Sequence, residues 1–336
     1  MRLKLAAILL VFSVLLTWTI PVYAVDESAA DLVARGRLRL ADITDAINKK
    51  YHGQKENYWD IANIAYHDFT GVPEVDVVVG LAGYHDKGNI YNDGKQVVDD
   101  AGAGFGYFHK EKDNWKLKQV ELVRGKKYDG FEGADLIGLG KDQLVVYSST
   151  ENKEKIATVF MVPMNHVLKQ IAEIVGKDFG PRVAQDGNKF LMVDFRKAMV
   201  KDGAGFQIYY GHAYRWKDHQ FTSEDDDFLE AVEKYSNPKL TNADKQKGLT
   251  WFEDYLTAHS KDFCALANCY DLSLALNLDD KAAGYKKELV KLGMKAKLNT
   301  KYCDQWLSDK NLAFQKLYLD VLEGKVNEAD VRSTNQ

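Results

Sequence analysis

GYFHKEKDNWKLKQVEL (106–122), TVFMVPMNHVLKQIAEI (158–174) and IYYGHAYRWKDHQFTSE (208–224) share one plan: an aromatic strand, a short polar turn and a second amphipathic strand. Their starts fall 52 and 50 residues apart, and self-similarity at a fixed period marks stacked units that bury one another's faces. Upstream of the first two lie HDFTGVPEVDVVVGL (67–81) and GADLIGLGKDQLVVY (133–147), in each of which an Asp opens a Gly-containing turn and an apolar strand follows. From Asn57 to about Phe221 the other apolar runs are short, β-branched or aromatic, and separated by Gly, Asp and Asn, so strands dominate there.

After Ser223 the texture changes. Phe228, Leu229 and Val232, then Leu249, Phe252 and Leu256, then Leu266, Leu272 and Leu276, and finally Leu312, Leu317, Leu319 and Leu322 recur at helical spacing. Ser223 followed by Glu224-Asp225-Asp226-Asp227 is a helix start, because negative charge favours the positive end of the helix dipole. The expected fold is a two-part α+β chain, a β-rich domain of propeller-blade-like repeats followed by an all-α domain. The divisions are a signal peptide at 1–24, a helical lead-in at 25–56, the β-rich repeat domain at 57–222 and the helical domain at 223–330. Two hydrophobic patterns imply two cores, with an exposed joint between about residues 221 and 245.

The first residues carry Arg2 and Lys4, a charge-free run from Leu5 to Val25, Pro21, and a small residue at Ala24. That is the layout of a cleavable secretory signal, so the product is expected to be periplasmic or secreted, with no integral span once it is cut. A total of 45 Lys and Arg against 49 Asp and Glu gives a net charge of −4, which argues against nucleic acid as a partner. Cys264, Cys269 and Cys303 are an odd count for an oxidising compartment, implying one disulfide and a spare thiol. Cys264 and Cys269 stand five apart, which turns them away from each other on a helix, so a bridge from either to Cys303 is the easier geometry.

About fifty residues holding an Asp–Gly turn, a buried strand and an aromatic hairpin is the size of one propeller blade. The loops Asp68-Phe69-Thr70-Gly71-Val72-Pro73-Glu74-Val75-Asp76 and Asp135-Leu136-Ile137-Gly138-Leu139-Gly140-Lys141-Asp142-Gln143 resemble those of FG-GAP or VCBS-type repeats of exported β-propellers. The resemblance covers residues 57–222 and implies loops that can bind calcium through alternating oxygens. The first loop keeps Asp68, Thr70 and Asp76 but has Val72 at a ligand position; the second keeps Asp135 but has Ile137 and Leu139. Asp68, Asp76 and Asp135 are therefore residual metal candidates, the glycines are expected to survive as turn formers and the apolar replacements to turn inward, and no cofactor is expected. Three units are too few for an ordinary closed propeller.

His67 and His85 each sit in a Tyr-His-Asp triplet, and a His with an Asp can serve as base and orienter. The same triplets also read as polar residues at the two ends of one strand. Tyr209, Tyr210, His212, Tyr214 and Trp216 form the densest aromatic and imidazole run, suited to stacking on a sugar or peptide and equally to the apolar face of a hairpin. No HExxH pair supports a zinc hydrolase, Ser148 and Ser149 lack a nucleophile elbow, and Gly102-Ala103-Gly104-Phe105-Gly106 reads as a flexible loop entering a strand. The expected function is a non-catalytic exported binding module recognising a protein or cell-envelope glycan. An envelope hydrolase using Asp68, Asp86 or Asp129, and a structural subunit of a larger complex, are the alternatives.

Overall fold

The computed structural model describes residues 39–51, 57–70, 76–92, 95–112, 114–162, 167–176, 179–199, 207–223, 226–236, 239–298 and 302–327. The expected signal segment and most of the lead-in lie outside them, as does Val72. A helix α1 (Leu40–Lys50) precedes β1 (Asn57–Tyr66), β2 (Asp76–Asn92), β3 (Lys95–Glu111) and β4 (Asn114–Val123). Then come β5 (Lys127–Ala134), β6 (Gln143–Ser149), β7 (Lys155–Met161) and β8 (Lys169–Gly176), followed by β9 (Gly180–Asp186), β10 (Lys189–Met199), β11 (Gln207–Lys217) and β12 (Gln220–Ser223). The strands form three four-stranded antiparallel sheets, each joined in simple sequence order. Helices α2 (Asp227–Tyr235), α3 (Asn242–Ala258), α4 (Phe263–Ala275), α5 (Asp279–Leu292) and α6 (Gln305–Leu322) complete the chain, so a β-rich part is followed by an α part.

The repeated stretches now have a structural meaning. Residues 106–122, 158–174 and 208–224 hold the third and fourth strands of the three sheets, and 67–81 and 133–147 hold the turn from first to second strand in sheets one and two. The third copy of that turn shrinks to Gly187-Asn188 between β9 and β10.

Alternation along each central strand stacks the sheets. In β2, Val77, Val79 and Leu81 face α1, packing with Ile43, Ile47 and Trp59, while Val78 faces sheet two. In β6, Leu144 and Val146 meet Phe105 and Tyr107 of sheet one, and Val145 turns to Met192 of sheet three. In β10, Leu191, Val193 and Phe195 face away from sheet two, towards Leu307 and Phe314 of α6. Two-residue periodicity thus buries both faces of every sheet, and helices cover the outer faces of sheets one and three. Lys50 and Tyr51 fasten α1 to β4 through Glu121, at 2.6 and 2.7 Å.

The Gly102–Gly106 segment is not a loop but the middle of β3. Its glycines make room: a Cβ on Gly102 or on Gly83 opposite would run into the Trp59 ring, and one on Gly104 into the Glu121 carbonyl. Gly138 and Gly140 do form a turn with positive φ, as expected. Ile137 packs between sheets two and three, whereas Leu139 points outward, 63% exposed.

The core of the helices reaches into sheet three. Ile208 and Tyr210 of β11 belong to the cluster formed by Phe228, Phe252, Phe263 and Leu319 of the helices. Asp226 caps α2 by accepting from the Leu229 N–H at 3.1 Å, and Asp262 caps α4 through Ala265 N–H at 2.8 Å. No helix among the described residues is long and apolar enough to cross a membrane.

Burial pushes the Asp262 carboxyl up to about 6, against the opposing pull of its capped N–H groups and His259. An acid raised in the folded state favours folding below its unfolded value near 4, and that advantage is lost as pH rises through 6. Asn caps as well as Asp without ionising. Asp262→Asn is therefore expected to stabilise the chain at pH 7.5 by about 2–3 kcal/mol, with the gap closing by pH 4. Thermal melts at the two pH values check this, and equal gaps at both would refute it.

Candidate functional site

The first-to-second-strand turns of the three sheets gather at one end of the stack, and most of the carboxylates singled out above stand there. Asp76 opens β2 directly opposite His109 of β3, with Tyr107 one diagonal away on the same face. Its fully buried carboxylate accepts from Tyr107 Oη at 2.7 Å, lies 2.8 Å from His109 Nδ1 and accepts from Thr70 Oγ1 at 3.0 Å. Burial and this bond to Asp76 raise the Tyr107 phenol. Beside the knot, His67 lies between Phe69 and Phe131, its Nδ1 3.6 Å from Asp142, and the Asp68 carbonyl accepts from Asp142 N–H at 2.9 Å. His67 and His85 do not meet: His85 pairs with Asn57 inside β2, nine residues from Asp76, which is about 30 Å of extended chain. The two triplets therefore do not mark the two ends of one strand, and the His85 side chain lies outside the described residues. His109 was missed in the sequence because only strand register brings it to Asp76.

A groove of about 550 Å³ opens between sheets two and three. The Asp135 turn forms one wall, and Asp186, Asn188, Lys189, Phe190, Arg215 and Trp216 form the rest. The Asp135 carboxylate accepts the N–H groups of Leu139 at 2.9 Å and Gly140 at 2.8 Å, and Gln143 accepts the Ile137 N–H at 3.0 Å. Asp186 is ion-paired to Arg215 and accepts from Tyr302 Oη at 3.3 Å. The β11–β12 turn at Asp218-His219, both at positive φ, sets Trp216 opposite Phe221 with ring centroids 5.1 Å apart. Phe190 stays 36% exposed at the edge. Among the described residues no group of three or more His, Cys, Asp or Glu is placed to hold a metal ion.

The β11 aromatic run is divided by the pleat. Tyr209 packs on Phe179 and Phe314, Tyr210 on Phe228, and both are buried. His212 is buried against Tyr214, with Nε2 2.7 Å from Ser223 Oγ; burial first, and then Arg196, hold its imidazole below the usual value. Arg196 joins Asp194 at 2.8 Å to Glu233 of α2 at 2.9 Å, tying sheet three to the helices. Of the five, Trp216 alone reaches the groove.

The expected disulfide is absent, and all three cysteines are free. Cys264 and Cys269 sit in the helical core, while Cys303 packs under sheet three and donates to the Tyr209 carbonyl at 3.4 Å. Burial raises all three thiols, Cys269 and Cys303 to about 12, which leaves them unreactive at neutral pH. Compared with known protein families, with curated proteins and with solved structures, the chain matches none.

Proposed function

We propose that the chain is an exported, non-catalytic binding protein that receives a protein or cell-envelope glycan in the groove between sheets two and three. The observation carrying this reading is the condition of the groove's carboxylates. Hydrolysis of a glycoside needs two carboxyl groups free to give and take a proton across the scissile bond. Asp135 is occupied by backbone N–H groups, and Asp186 by Arg215 and Tyr302. What remains available is a recognition surface: the faces of Trp216 and exposed Phe190 for stacking, with Asn188 and Lys189 for polar contacts. Export belongs to the proposal through Arg2, Lys4 and the apolar run to Ala24.

The test has two readings. Mass spectrometry of the periplasmic or extracellular fraction should find a chain starting near Val25. Calorimetric titration with purified cell-wall oligosaccharides and with unstructured envelope-derived peptides should show binding to one of them. Trp216→Ala or Phe190→Ala should weaken it about tenfold, the worth of one aromatic contact of about 1.4 kcal/mol. Release of reducing ends from the oligosaccharide would replace the binding reading with the hydrolase one.

A further inference from the structure

At the other end of the stack, a groove of about 590 Å³ is lined by Lys126, Lys127, Lys153 and Lys155, with Ser149 and Thr150, and opposed by Asp100 and Glu151. It lies between the β4–β5 turn and the β6–β7 loop, and both are held by backbone bonds. Lys126 N–H donates to Ser149 O at 2.8 Å, Thr150 N–H to Glu154 O at 3.0 Å, and Lys153 N–H to Thr150 O at 3.0 Å. Gly125 takes φ +125°, and a Cβ there would strike Ser148. Lys153 itself stands in the left-handed region at φ 63°, a conformation that a lysine adopts only where the loop imposes it.

Of the four ammonium groups, Lys155 is paired to Asp129 at 3.0 Å and Lys126 to Glu151, which is 71% exposed and so contributes little. Lys127 and Lys153 have no ion-pair partner among the described residues. A chain with a net charge of −4 thus carries, on a rigid concave surface, two unpaired cations backed by two more. Concavity focuses their field, and lysine is a point-charge binder of phosphate oxygens.

We infer that this groove binds a compact anion bearing two or three phosphate groups. It is separate from the groove between sheets two and three, so either proposal can fail without the other. The experiment is calorimetric titration of the full chain with inorganic pyrophosphate and tripolyphosphate. A parallel arm measures co-sedimentation with phosphatidylcholine vesicles containing a phosphatidylinositol bisphosphate. Tripolyphosphate is expected to bind more tightly than pyrophosphate, with affinity falling several-fold between about 50 and 200 mM salt as the charges are screened. The double variant Lys127→Gln/Lys153→Gln, both surface positions, should lose at least tenfold while melting at the wild-type temperature. Binding of the soluble anions alone identifies a free ligand, and vesicle binding abolished in the double variant identifies a phosphorylated headgroup; each supports the inference. No binding of either probe at about 10 mM, or undiminished binding in the double variant, overturns it.

Discussion

Asp76→Ala is expected to destabilise the fold by about 3–5 kcal/mol, lowering its melting temperature by on the order of 10 °C. The carboxylate is fully buried and is the shared acceptor for the Tyr107 hydroxyl, the Thr70 hydroxyl and the facing His109 ring nitrogen. Removing it takes the shared acceptor from these three groups and leaves the buried Tyr107 hydroxyl without its bond, in a space walled by Phe69 at the interface between sheets one and two. Asp76→Asn separates hydrogen bonding from charge. Its carbonyl can occupy the Oδ1 position and keep Tyr107 and His109, while its NH₂ group can donate to Thr70 Oγ1. It is therefore expected to cost about half as much as the alanine. Denaturant melts of the two variants check the order, and an alanine variant within about 1 kcal/mol of wild type would show that the knot contributes little.

The same residue shows what could be read in the chain and what could not. The repeat was legible because each sheet reuses one local recipe, an Asp–Gly turn and an aromatic hairpin, and local recipes leave a period in the sequence. Asp76 was legible as a residue of that turn. Its partners were not, because Tyr107 and His109 lie 31 and 33 residues away and reach it only through the register of two 17-residue strands. The third turn, reduced to two residues, left no loop to recognise. Glycine misled in Gly102–Gly106, where the causes lie far off in the chain: the Trp59 ring at Gly102 and the Glu121 carbonyl at Gly104. The β11 run left two readings open, and it divides between them: five aromatic or imidazole residues close in sequence become one groove wall and several core contacts once the pleat sends neighbours to opposite faces. Periodicity also suggested two cores, since it reports the face that each element buries and not the element that covers it.

That last point has a measurable consequence at Asn311. Strand β12 pairs with β11 only from Tyr214 to Lys217, so on the side of β11 away from β10 no strand among the described residues lies beside Tyr209. Asn311 of α6, fully buried, takes the strand's place: its Oδ1 accepts the Tyr209 N–H at 2.7 Å, and its Nδ2 donates to the Tyr209 carbonyl at 3.0 Å. A helix side chain thus bonds both backbone groups of Tyr209 at a sheet edge, where the carbonyl otherwise has only the weak Cys303 Sγ donor. Asn311→Leu keeps the volume and removes both bonds, and is expected to cost about 2–5 kcal/mol. Because Ile208 and Tyr210 on the same strand lie in the core of α2–α4, the loss is not expected to stay local. Wild type and variant should each unfold with the helical signal at 222 nm and the near-ultraviolet signal of the sheet aromatics changing together, the variant earlier by on the order of 10 °C. Two separate transitions, with the helical signal surviving the loss of the sheet, would mean that the helices hold themselves together and that the contact with β11 is a docking surface and not part of their core.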